Sequence, residues 1–139
     1  MSFSERISPL LGRCAFVWFF LTVIGDIFND FHGLAVQFDA RHVPLAPVVL
    51  VVAVVLLVIG CISLLFGYHA RHGAVLLFGL TIVSAVLLHD FWHFSDASAR
   101  AVEFEIFTRD IAICGGLLLM IGVGAGPFAI DNRGSGKKR

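Results

Sequence analysis

Four apolar runs divide this chain, and their lengths set the first reading. Residues 47–66 form the clearest one, twenty residues without a charge, about the length needed to cross roughly 30 Å of hydrocarbon. Ala74–Leu88 and Ile111–Gly126 are equally uninterrupted but slightly short, and Cys14–Gly25 is shorter still. To cross, the first run must continue through Asp26 and Asp30 to about Phe31. The same length argument pulls His89 and Asp90 into the end of the third span, and Arg109 and Asp110 into the start of the fourth. The predicted spans are thus about 12–31, 45–67, 73–93 and 105–126, in one domain over 1–131. The fold class that follows is all-α, an integral membrane four-helix up-down bundle. Residues 32–46 read as a first loop closed by Pro44 and Pro47, 68–73 as a tight turn and 94–103 as a third connection. The segment 132–139, with Gly134-Ser135-Gly136 before three basic residues, reads as a disordered cytoplasmic tail.

Composition supports this. The chain has 139 residues, 58% apolar and 14% charged, with a mean hydropathy of +0.93. A soluble domain carries about 25% charged residues, so a soluble protein this apolar would be unable to cover its own surface. The sequence contains no small-x-small cleavage site behind an apolar segment, so no cleaved signal peptide is expected at its start. Cys14, Cys61 and Cys114 stand alone in apolar segments, with no C-x-x-C, haem-attachment or zinc spacing, and read as small packing residues. No metal site and no covalently bound cofactor are expected.

Charge changes the picture by its placement. Of ten Lys and Arg, seven fall at the termini and in the 68–73 turn, and only Arg41, Arg100 and Arg109 on the other side. By the positive-inside rule both termini are cytoplasmic. The acids segregate the opposite way, with only Glu5 and Asp131 on the basic side. The few basic residues fit topology signals and give no support for nucleic-acid binding. No activated serine motif is present, and Ser63 and Ser84 read as spacers bonded to their own helices. The partner the composition names is the lipid bilayer.

An up-down bundle collects the remaining polar chemistry at one end. Asp26 and Asp30 are i,i+4 on the first helix and share a face. His89 and His93 are i,i+4 on the third if that helix runs through Trp92, and Arg109 and Asp110 open the fourth. Intramembrane charge is a functional-site hypothesis by default, and three readings compete for it. One is a set of mutually satisfying ion pairs, such as Arg109 with Asp26 or Asp90. A second is a site for a quinone or similar amphiphile, with Phe91, Trp92 and Phe94 lining it. In that reading His89 exchanges protons, Asp90 and Asp30 are its carboxylate partners, and Arg109 is the electrostatic anchor. The third, a metal held by His89, His93 and one or two carboxylates, lacks a sharper ligand signature such as H-E-x-x-H. Gly122 and Gly126 make a G-x-x-x-G, but Pro127 beyond them reads equally well as helix termination.

Three segments resemble a known family. Arg71-x-Gly73-Ala74, followed by an apolar helix ending in His89-Asp90-Phe91-Trp92, is similar to the third helix of the DoxX family. Phe107 to Leu119, with Arg109-Asp110 and Gly115-Gly116-Leu117-Leu118-Leu119, resembles that family's fourth helix. Gly124 to Asp131 resembles its C-terminal signature. The resemblance implies a small bacterial inner-membrane protein, multi-pass, akin to the membrane subunit of thiosulfate:quinone oxidoreductase or to accessory subunits of redox complexes. It implies at most a quinone-linked oxidoreductase subunit, binding quinone or other membrane or redox-complex subunits at the polar cluster. The alternative is a non-catalytic assembly or scaffold subunit, whose cluster holds the bundle together while its helix surfaces grip a partner.

Overall fold

A computed structural model describes residues 3–89, 91–126 and 128–130, with side chains from Ile7 onward. Among these residues the chain forms five α-helices and no strand: α1 (Phe3–Asn29), α2 (Phe31–Ala40), α3 (Ala46–Phe66), α4 (Ala70–Leu88) and α5 (Ala97–Val123). All but α2 are long and apolar enough to cross a membrane. The protein is a multi-pass helical membrane bundle.

Local chemistry sets each boundary. Leu45 adopts a left-handed conformation (φ 56°) and the first turn of α3 carries Pro47, whose missing N–H costs nothing there. Gly67 ends that helix at φ 65°. Its N–H reaches the Leu64 carbonyl, and the Tyr68 N–H reaches that of Ser63, both at 3.2 Å. This is the paired-bond C-cap that a glycine makes without steric penalty. Helix α4 begins three residues later, so α3 and α4 form an antiparallel hairpin. The Ser63 hydroxyl fastens the turn by donating to the carbonyls of Tyr68 (2.7 Å) or His69 (3.1 Å).

The spans pack α1 on α3, α3 on α4 and α4 on α5. Each contributes one large apolar side chain to the centre: Phe20, Leu64, Leu77 and Leu117 are all essentially inaccessible. Lipid is as apolar as leucine, so such helices associate through close packing rather than hydrophobic expulsion. Small residues provide the closeness. A Cβ on Gly60 would lie 2.6 Å from Leu77, and one on Gly116 would lie 2.6 Å from the Phe16 ring. That second contact seats α1 against α5.

Three expectations change. Residues 32–40, expected within a loop, join Phe31 to form α2. Asp30 caps it by accepting from the Gly33 N–H at 3.2 Å. Helix α4 stops at Leu88 instead of running to His93, and Phe91–His93 make a separate 3₁₀ turn. The Arg41 side chain donates to the Leu87 carbonyl at 3.0 Å, satisfying a group the ended helix leaves open. Finally, α5 begins at Ala97, two turns before the expected start, because Asp96 caps it by accepting from the Ala99 N–H at 2.9 Å. At the other terminus, α5 ends at Val123 and nothing lies near an added Cβ on Gly122. Gly122 therefore belongs to no packing seam, whereas Gly126, beyond the helix end, lies against Pro9 of α1, where an added Cβ would come within 2.5 Å. The tail 132–139 lies outside the described residues.

Candidate functional site

The earlier start of α5 rearranges the polar cluster. From Glu103, the positions Phe107, Asp110, Cys114 and Leu117 recur at helical spacing and turn one face inward. Asp110 and Cys114 are buried on that face. His89, at the end of α4, lies against this face between its two acids. Its Nδ1 is 2.8 Å from Glu103 Oε2 and its Nε2 is 3.9 Å from Asp110 Oδ2. Arg109 wraps back onto its neighbour, Nε and Nη2 donating to Asp110 Oδ1 at 3.2 and 3.1 Å. The same guanidinium lies over the Phe19 ring, 5.3 Å from its centroid. Asp110 is thus a buried carboxylate flanked by a cation and an imidazole, and its Arg109 partner is half exposed.

Aromatic rings roof the cluster. Phe91 packs on Trp92, Phe104 and Phe107 with centroids 5.1 to 5.4 Å apart, within the range where edge-on ring contacts are favourable. Trp92 is half exposed, with 50% of its surface open.

Of the residues expected at the site, His89, Arg109 and Asp110 come together, with Trp92 at the edge of the roof. Asp90 lies outside the described residues. His93 is exposed and sits on the 3₁₀ turn, so it shares no helix face with His89. Asp26 and Asp30 are exposed, and Asp30 is occupied in capping α2. The expected pairing of Arg109 with Asp26 gives way to its pairing with Asp110. Glu103, assigned to the connection before the fourth helix, is the closest partner of His89. The Asp96 cap, placing Glu103 and Asp110 two turns apart on one helix, was the signal for it. No grouping of three or more His, Cys, Asp and Glu side chains able to hold a metal exists among the described residues.

A second charged residue was read only as a topology signal. Arg13 on α1 is 1% exposed. Its Nη1 donates to the Leu64 carbonyl at 3.4 Å, and its Nε has no hydrogen-bond partner among the described residues. It lies under the α3–α4 turn, where a Cβ on Gly67 would overlap its Nη1 and lie 2.6 Å from Ala129.

With this geometry in view, the match to the family model described as the SURF4 family is informative, because it extends over residues 34–139 and so takes in α3, α4, α5 and the cluster. The chain belongs to the SURF4 family. Two inner membrane proteins of Escherichia coli (strain K12), YphA and YqjF, are similar to it. They are 28% identical over 126 residues and 27% identical over 127 residues, covering 89% and 91% of this chain and 88% and 92% of theirs. The ER-derived vesicles protein ERV29 of Saccharomyces cerevisiae (strain ATCC 204508 / S288c) is 29% identical over 80 residues. That alignment covers 58% of this chain but only 26% of the yeast protein. No solved structure matches. Membership of SURF4 overturns the DoxX assignment. The segments that suggested DoxX are a glycine-leucine run and polar residues at the ends of short spans. Both follow from fitting four helices to a bilayer, so they identify an architecture more readily than a family. The redox inference drawn from DoxX loses its support with it.

Proposed function

We propose that this SURF4-family protein is a non-catalytic membrane scaffold, which uses its internal cluster to fix the bundle and its helix surfaces to hold a membrane partner. The observation carrying this reading is that the cluster closes on itself. His89 is engaged by Glu103, and Asp110 by Arg109. The His89–Glu103 contact joins the end of α4 to α5 and so fixes their positions, as intramembrane polar residues commonly do. A name that places a relative in ER-derived vesicles supports a role tied to membrane assemblies. The two bacterial names support an inner-membrane location, and the Lys and Arg distribution favours cytoplasmic termini.

Purification of the full chain in mild detergent, followed by native mass spectrometry with lipid extraction, tests the reading. The expected result is a protein partner at fixed stoichiometry, retained in His89→Ala. Co-purified quinone that disappears in His89→Ala would overturn it and restore a ligand-binding role for His89, Trp92 and Arg109.

A further inference from the structure

A groove of about 510 Å³ opens on the α3–α4 hairpin, at the end of the bundle remote from His89. Its walls are Ile59, Ile62 and Phe66 from α3 and Leu76 from α4, and its rim is Tyr68 and His72. Ile59, Ile62 and Phe66 each have about half their surface open (52%, 53% and 55%), on a helix that crosses the membrane. The apolar part of the groove therefore faces acyl chains, along about 10 Å of helix rise.

The rim lies where both spans end, at headgroup depth. It offers hydrogen-bond donors, the Tyr68 hydroxyl and the His72 ring, and its charge surroundings are one-sided. Exposed Arg71 stands in the first turn of α4, where the helix dipole is positive. Buried Arg13 lies under the same turn with its Nε unsatisfied. The described carboxylate side chains all fall between Asp26 and Asp39 or between Asp96 and Asp110. Asp110 is about 20 Å of helix rise along α5 from Gly124, which neighbours Arg71. By sequence this end carries seven Lys and Arg against two acids, Glu5 and Asp131, so its net field is positive beside an apolar slot of lipid-chain character.

We infer that the groove binds an anionic phospholipid. One acyl chain lies along Ile59, Ile62 and Leu76, and the phosphate meets Tyr68 and His72, with Arg71 beside the groove adding to the field. Basic pockets between spans are known to take anionic headgroups, and a zwitterionic lipid would bring its own cation into the same positive field.

The test is native mass spectrometry of the full chain in detergent, titrated with phosphatidylglycerol or with phosphatidylcholine. Phosphatidylglycerol is expected to bind more tightly. Arg71→Gln should cut that preference about fivefold, the usual effect of one basic residue at a membrane surface. Ile62→Trp, which fills the groove from an exposed position, should weaken both lipids. Far-UV circular dichroism checks that each variant remains folded. Equal binding of the two lipids, an unchanged preference in Arg71→Gln, or retention unaffected by Ile62→Trp would each overturn the inference. Displacement of phosphatidylglycerol by millimolar inorganic phosphate would also overturn it, because it would mean that the site recognises a free anion and not a lipid.

Discussion

The two ends of the bundle bury charge in opposite ways. At the loop end, Asp110 is matched by side chains: the Arg109 guanidinium at 3.1 Å and the His89 imidazole beyond it. At the termini end, Arg13 is more deeply enclosed yet meets no carboxylate among the described residues, only the Leu64 carbonyl at the end of α3. That carbonyl belongs to the negative end of a helix dipole, which favours a cation. Among the described residues, one end thus sets charge against charge, and the other sets charge against backbone geometry. The first arrangement tolerates backbone change and is sensitive to side chains. The second depends on a single glycine turn keeping its shape.

The most damaging change should therefore strike the turn. Gly67→Val places a β-branched residue at φ 65° and drives its side chain into Arg13 and Ala129. A left-handed conformation alone costs about 1–2 kcal/mol, and the overlap adds to it, so thermal unfolding in detergent should show the largest drop in Tm here. Next comes the side-chain end, where the two partners should not be equivalent. Arg109→Ala leaves Asp110 buried with only the more distant His89 and should cost about 2–3 kcal/mol. Asp110→Asn leaves a half-exposed guanidinium that can turn toward water, and should cost about 1 kcal/mol. If both cost the same, the pairing does not control stability at that end. The smallest effect should come from Asp96. The Ser98 hydroxyl and the Ala99 N–H hold its carboxyl below the ordinary carboxylate range. A depressed folded-state pKa contributes stability that is present above the unfolded value and is lost as pH falls through the folded one. Asp96→Asn should flatten the acid side of the Tm-against-pH curve slightly and leave neutral pH almost unchanged.

The sequence was legible where a single physical constraint acted alone. Helix α3 is an uninterrupted apolar run with Pro47 inside its start and Gly67 at its end, and the expected span of about 45–67 differs from it by one residue at each boundary. Helix α2 was hidden because ten residues containing His32, Gln37 and Asp39 look like a loop, although the Asp30 cap marked its start. The first turns of α5 were misread for the same reason. Arg100 and Glu103 fell in the expected connection 94–103, whereas they continue a helix that extends beyond the apolar run. Of the site, His89, Arg109 and Asp110 stood out as charges in hydrocarbon. Glu103 did not, since its role depends on where α5 begins. Arg13 entered the sequence reading only through its count among the basic residues, and nothing in its local sequence indicates burial, which depends on the distant Gly67 turn.

Helices α4 and α5 lie side by side yet have 19 and 27 residues, a difference of about 12 Å in rise. The extra turns of α5 carry Arg100, Glu103 and Glu105, so they project beyond the apolar run instead of lengthening it. The His89–Glu103 contact joins the end of the shorter helix to the projecting part of the longer one. It therefore fixes their relative height, and with it how far the polar cluster stands out from the apolar part of the bundle.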